Sequence, residues 1–331
     1  MKLNLKIKSK LIITFLIVGL VPFIAIGLIT LTQSSTEIKS QAFQKLEAIR
    51  EIKKSSIERY FHTIRDQVLT LSQDTMVVDA MREFKSGFAA FREDNNLSPE
   101  QIGTLRTELS KYYSNQFAPE FMKQNDGNKA GVQSLYSALD DNSIAMQYYY
   151  IQANANPLGE KHKLDSAGDA SAYSKTHGKY HPAIRTFLEK FGYYDIFLVD
   201  HVTGKIVYSV FKELDYATSL TKGPYANTNF ADAFRKARDL TKAGEFVFVD
   251  FKQYLPSYNA PASFIAAPIF DGNKKLGVLM FQMPLDRITQ VMSERAGLGE
   301  TGESYLVGPD YLMRSDSYLD PKYHSVVASF R

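Results

Sequence analysis

The chain has no cysteine and no tryptophan among its 331 residues. Without cysteine there is no disulfide framework, no thiolate metal site and no cysteine nucleophile. Clustered Lys and Arg are missing beyond the first ten residues, and the net charge is only +3. A nucleic-acid footprint needs such clusters, so no nucleic-acid partner is expected. Phosphate loops, nucleophile elbows and HExxH zinc motifs are also absent. The glycine-rich GLGETG over 297–302 lacks the Lys-Ser/Thr pair of a phosphate loop and reads as a turn. These absences leave no catalytic constellation, so a non-enzymatic chain without a cofactor is expected. What is present is close to a globular average, at 44% hydrophobic and 23% charged residues. Its length suits roughly two domains. Twenty tyrosines and 22 phenylalanines supply the aromatic surface.

Lys2, Lys6, Lys8 and Lys10 precede an uncharged run over 11–31. Crossing the hydrocarbon core takes about 20 apolar residues, and this run meets that length. Backbone groups in lipid must pair internally, so the run predicts a transmembrane helix over 11–32. Gly19, Pro22 and Gly27 fall inside it, and a kink is expected near Pro22. Lysines on one side only place residues 1–10 in the cytoplasm and the bulk of the chain outside. A cleaved signal has an apolar region of about 7–15 residues and a small-residue cleavage site. This run is longer and no such site follows, so an uncleaved inner-membrane anchor is expected.

Proline is absent over 35–88, where Leu46, Ile49, Ile57, Tyr60, Ile64, Val68 and Leu71 recur at spacings of three and four. That pattern predicts one long amphipathic helix, which must pack along another helix of this chain or of a second copy. Ser98-Pro99-Glu100-Gln101 reads as a capping box with proline in the first turn. Further helices are expected over 132–152 and 182–191, with irregular chain over 154–171. His162, His177 and His181, with Asp165 and Asp169, invite a metal reading. The HGKYHP context reads as a loop, however, so helical ligand spacing does not apply and no metal is expected. At Gly192 the period changes from 3.6 to 2. Strands are expected over 193–200, 205–211, 245–254, 262–270 and 275–283, with helices over 229–241 and from Pro284. This order is that of an α+β domain.

A membrane helix, a long helix and this strand order resemble the double Cache sensor domains of bacterial chemoreceptors and sensor kinases. The segments FGYYDIFLVDHVTGKIVYSVFKELDYATSLTKGPY and GETGESYLVGPDYLMRSDS resemble stretches of methyl-accepting chemotaxis proteins. The resemblance implies an extracytoplasmic helical region over 33–191, a PAS-like sensing module over 192–295 and the start of a second, membrane-proximal module over 296–331. It also implies a second membrane helix and a cytoplasmic effector, which do not occur before Arg331. Cytoplasmic signalling partners would therefore be reached only through such a missing part. The function implied is ligand sensing by a chemoreceptor. The alternative is the input region of a sensor histidine kinase or nucleotide cyclase. Amino-acid-binding members carry an Arg-x-Trp-Tyr pattern before the first sheet. Here Arg185 is followed by TFLEKFGYYD, and those roles do not carry over.

An antiparallel sheet can pack one face on helices and wall a cavity with the other. Asp250 is a carboxylate inside an aromatic-rich strand, which needs a partner or a ligand. Tyr208, Tyr225, Tyr254, Tyr258 and Ser263 supply hydroxyls nearby, and apolar walls with a few polar groups suit a small molecule. The cavity is expected between the sheet and the connection over 212–229. A homodimer through the long helix is expected as well.

Overall fold

The computed structural model describes residues 6–331; Lys2 and the first half of the expected cytoplasmic segment lie outside the described residues. The chain divides into two units. One holds the residues up to Ile57 with Arg295–Gly302, and the other holds Glu58–Glu294 with Glu303–Arg331.

The first unit is dominated by helix α1 (Ile7–Ser72), which continues through Pro22. Every side chain from Leu11 to Leu31 is exposed. Among the described residues this is one helix long and apolar enough to cross a membrane.

In the second unit the last turns of α1 bury Ile64 and Val68, with Tyr60, Phe61, Leu69 and Leu71 packed against the same core. The lower half of the apolar stripe therefore finds its partner within its own chain. The single helix expected over 35–88 is in fact two. Asp74 stops the first by accepting a 2.8 Å hydrogen bond from the Met76 amide, an N-cap that starts α2 (Thr75–Asp94). Helix α2 buries Val77, Met81, Phe84, Phe88 and Phe91 along one face, as 3.6-residue periodicity requires.

Helix α3 (Pro99–Tyr112) begins with the capping box read from the sequence. It passes through a π-helical turn, Tyr113–Phe117, into α4 (Ala118–Gln124). The expected helix over 132–152 is broken into α5 (Val132–Ser137) and α6 (Asp141–Gln147), followed by a second π-helical turn, Tyr148–Gln152. Asp140 makes the break, capping α6 through the Ser143 amide at 2.9 Å.

Helix α7 (Ala172–Phe191) starts ten residues before its expected start. Ser171 caps it, and burial of Tyr173, His177, Tyr180, His181 and Ile184 on one face overrides the Gly178 and Pro182 signals. The HGKYHP segment is thus helical, not a loop. Helices α2 and α7 cross at Gly87, where any Cβ would come within 2.8 Å of the Tyr173 Cα. Only glycine permits that approach.

The sheet comprises β1 (Asp195–Asp200), β2 (Ile206–Ser209), β3 (Val247–Gln253), β4 (Pro261–Asp271) and β5 (Lys274–Gln282), antiparallel throughout in the order β2-β1-β5-β4-β3. Helix α8 (Asn229–Asp239) lies between β2 and β3 in sequence, and α9 (Leu285–Ser293) and the short α10 (Val326–Phe330) follow. This is the α+β, PAS-like architecture expected.

Both faces of the central strands are covered, so these strands read as continuous hydrophobic runs rather than alternating ones. Phe281 meets Phe187 of α7 on one face, and Phe264 stacks on Phe230 of α8 at 4.5 Å on the other. Alternation along β1 puts Asp195 on the face of Phe197, which also meets Phe230.

Candidate functional site

A cavity of ≈ 70 Å³ lies at the end of the sheet where β2 runs into the long connection to α8. Phe211, Lys212, Glu213 and Leu214 form one wall, and Tyr194, Pro256 and Tyr258 another. Tyr112 at the end of α3 and Phe117 of the first π-helical turn close it on one side, and Leu158, Gly159 and Lys161 of the strap between α6 and α7 on another. Phe117 stacks on Tyr258 at 5.1 Å with the rings 19° apart.

The backbone at this rim is held in an unfavourable conformation. Lys212 (φ 58°), Tyr258 (φ 55°) and Asn259 (φ 60°) all occupy the left-handed region, which costs a residue with a Cβ of the order of 1 kcal/mol or more. Surrounding bonds impose it. Ser209 Oγ accepts from the Lys212 amide at 2.8 Å. Gln147, fully buried on α6, donates to the Leu214 and Tyr216 carbonyls at 2.9 and 2.7 Å. Tyr113 of the first π-helical turn donates in turn to Gln147 at 2.8 Å.

The strap is fastened to α7 by imidazoles. His181 Nε2 donates to the His162 carbonyl at 2.6 Å, so its Nδ1 is left to accept the Tyr208 hydroxyl at 2.8 Å. His177 Nδ1 donates to the Asp165 carbonyl at 2.5 Å, and the two rings stack at 4.3 Å. Arg185 adds bonds to the His162 carbonyl and the Asp165 carboxylate. Burial pulls His181 down to about 2 and His177 well below the ordinary imidazole value, so both are neutral fasteners. Among the described residues no group of three or more His, Asp or Glu side chains could hold a metal ion.

In and behind the cavity wall lies a desolvated cluster of ionisable groups. Glu213 accepts from Tyr194 at 2.7 Å and from Ser257 at 2.9 Å, and burial raises it well above the carboxylate range. Asp215 accepts from the Tyr254 hydroxyl at 2.6 Å through one oxygen; the other has no partner within the protein. Burial pushes Asp215 up to about 6. Asp195 is pushed to about 8 by burial, with the neighbouring Asp215 adding to the rise. Lys212, 1% exposed, is lowered by burial to about 7.

The structure scatters the six residues singled out from the sequence. Tyr258 lines the cavity, whereas Tyr254 and Tyr225 lie in the layer beneath it, 6.2 Å apart ring to ring. The Tyr225 and Ser263 hydroxyls are buried without a partner in the protein. Tyr208 is on the α7 side of the sheet, bonded to His181. Asp250 does not line the cavity; its carboxylate is half-exposed and paired with Arg314 at 2.8 Å, and Arg314 also holds Asp310 at 2.9 Å. The cavity touches only the start of the 212–229 connection. Lys161, Lys212, Glu213 and Tyr194 escaped the sequence reading. The one available signal was FKELDY, an unusually charged stretch directly after a buried strand.

No family model matches the chain, and no curated protein matches it. Solved structures similar to it include the ligand-binding domain of Pseudomonas fluorescens chemoreceptor CtaA with L-serine, at 16% identity and TM-score 0.27 over 39% of this chain and 49% of that one. The sensor domain of the V. cholerae histidine kinase DctB aligns at 16% identity and TM-score 0.28, over 53% and 60%. The sensory domain of Campylobacter jejuni chemoreceptor Tlp3 with isoleucine bound aligns at 10% identity and TM-score 0.31, over 75% and 78%. The chain thus spans about half to three-fifths of the first two.

Proposed function

We propose that this chain is the extracytoplasmic, ligand-sensing part of a membrane-anchored receptor of the chemoreceptor type. The observation that carries the reading is the cavity itself, where aromatic walls and buried ionisable groups meet on strained backbone. Such a combination suits recognition of a small molecule, with few polar groups fixing its orientation. The chemistry is binding rather than turnover. A ligand engaging both the strap and the 211–214 segment would bias their relative position, and a packed core passes such a shift on as a discrete rearrangement.

Tyr258 and Phe117 are the proposed ligand-contacting aromatics, with Tyr254 and Tyr225 as support. Thermal-shift screening of the whole chain against organic acids, amino acids, amines and nucleobases tests this. A ligand at 100 times its dissociation constant stabilises the folded state by about 2.7 kcal/mol. Tyr258→Ala should abolish the shift, because it removes one face of the stacked pair. A response lost in Asp250→Ala but kept in Tyr258→Ala would move the site to the outer face of β3.

The membrane placement is part of the same proposal, with residues 1–10 in the cytoplasm, a span over 11–32 and the sensing module outside. A reporter active only outside the cytoplasm, fused after residue 60, should be active. A cytoplasmic reporter working there instead would remove the sensory reading. The proposed assembly is a homodimer through α1.

A further inference from the structure

The charge lining the cavity limits what it can hold. Lys161 and Lys212 both line it, and they are 4% and 1% exposed. Each ammonium has three protons to donate. Lys161 Nζ makes one hydrogen bond, to the Asn154 carbonyl at 2.7 Å, and Lys212 Nζ one, to the Val210 carbonyl at 3.1 Å. Lys161 lies 5.7 Å from the Tyr112 ring centre; Lys212 lies 5.9 Å from those of Tyr150 and Tyr208. Among the described residues neither lysine forms an ion pair. The carboxyl that shares the lining, Glu213, already has both oxygens engaged by Tyr194 and Ser257. Two buried ammonium groups with spare donors and no ion-pair partner are a costly arrangement, relieved either by loss of a proton or by an anion that completes it.

We infer that the cavity takes a small carboxylate, its charge met by Lys161 and Lys212 and its apolar part by Phe117, Phe211 and Tyr258. This rests on the sensing role proposed above and names the ligand class. The volume sets the scale. A single water needs roughly 10–15 Å³ by the same kind of measure, so a cavity of ≈ 70 Å³ suits a molecule of a few heavy atoms.

Protonation supports the assignment. Lys212 is lowered to about 7, so an incoming carboxylate must bind the form that carries the proton. The groups acting on Lys212 are Asp195 from β1, Arg185, His177 and His181 from α7, Asp165 and His162 from the strap, and the Tyr150 and Tyr208 rings. The two α7 histidines are neutral. Asp195 is pushed up to about 8, so its ionisation at higher pH opposes an anion in the same direction as loss of the Lys212 proton. Carboxylate affinity should therefore fall as pH rises from 6 to 8.5, approaching tenfold per unit above 7, while the probe stays ionised throughout.

The test uses the full chain in detergent with propionate, propionamide and propylamine as matched probes, read by calorimetry and thermal shift. Propionate should bind and stabilise, with no response to the amide or the amine. Lys212→Met and Lys161→Met keep side-chain length, and each should weaken propionate at least tenfold. Circular dichroism melts establish that both variants fold, and Lys161→Arg should keep the response if folding of Lys212→Met fails. Binding of the amide or amine that Tyr258→Ala removes would overturn the carboxylate assignment while leaving the sensing cavity intact. Propionate binding unchanged in both methionine variants, or no binding of any probe, would also overturn it. Loss of every response in the broader screen as well would remove the sensing cavity too.

Discussion

Asp195→Asn is expected to make the protein more stable at pH 7, by a margin over the parent that grows from pH 5 to 7. The carboxyl is 1% exposed. Its Oδ1 accepts from the Ile196, Val210 and Phe211 amides at 2.6, 2.9 and 3.2 Å, whereas Oδ2 has no partner within the protein. Three amide donors favour the charged form, but burial outweighs them and Asp215 adds to the rise, giving about 8. A folded-state value above the unfolded one means that the native state keeps a proton which the unfolded chain has released. Stability is therefore greatest below the unfolded value near 4 and falls as pH rises towards 8, by about 1.4 kcal/mol per unit. Asp215, raised to about 6, adds to the fall at the acidic end of that window. Lys212 acts oppositely, but only above about 7, where the native state has lost a proton that the unfolded chain retains. Between pH 5 and 7 the buried His177 and His181 also act oppositely, because the unfolded chain binds protons there that these two imidazoles do not, so Asp195 is isolated by the difference between parent and variant.

Asparagine keeps the Oδ1 acceptor and cannot ionise. It should recover a few kcal/mol at pH 7, or roughly 5–10 °C in Tm for a domain of this size. Thermal melts of parent and variant at half-unit steps decide the matter. An advantage of the variant over the parent that does not grow from pH 5 to 7 would show that Asp195 is ionised in the folded state.

Much of the framework was legible because burial leaves a periodic trace. The change of period at Gly192 located the sheet, and all five strands fall within a few residues of their expected bounds. Helix limits were less legible where a single capping side chain decides them. Asp74 and Asp140 each end one helix and start the next with one or two hydrogen bonds, and such a residue looks like any other surface aspartate in a helical pattern. Helix α7 failed for the opposite reason, since Gly178 and Pro182 read as punctuation while the buried face that overrides them is visible only after packing.

The site was the least legible part. Asp250 stood out as a carboxylate among aromatics, but its partner Arg314 lies 64 residues further on and no local pattern announces it. Lys212 is a cavity residue only because its backbone takes a positive φ that turns the chain inwards, which lysine itself does not signal.

The exposed apolar side chains of α1 that follow its apolar run set the second large expectation, a dimer that two charges would dissolve. Beyond the apolar span, Ile38, Phe43, Leu46 and Ile52 remain exposed, Phe43 by 69% and Leu46 by 52%. Ile64 and Val68, further along the same helix, are buried by their own chain and offer nothing to a partner. The available surface is therefore confined to roughly four turns beyond the apolar run. A second copy of the same helix can cover these side chains, because a two-fold interface presents the same side chains twice. Burying a large apolar side chain fully is worth about 1.5–3 kcal/mol. Phe43 and Leu46 from both copies supply four such side chains, less the cost of ordering the pair. Replacing both by glutamate removes that burial and sets like charges against each other across the seam, which should weaken association on the order of 100-fold or more. Sedimentation velocity of the full chain in detergent should show a dimer for the parent and a monomer for the Phe43→Glu, Leu46→Glu variant. Because neither residue lies in the sheet-bearing unit, the variant's sheet module should melt as the parent's does. A parent that sediments as a monomer at high concentration would mean that lipid or another chain covers this face.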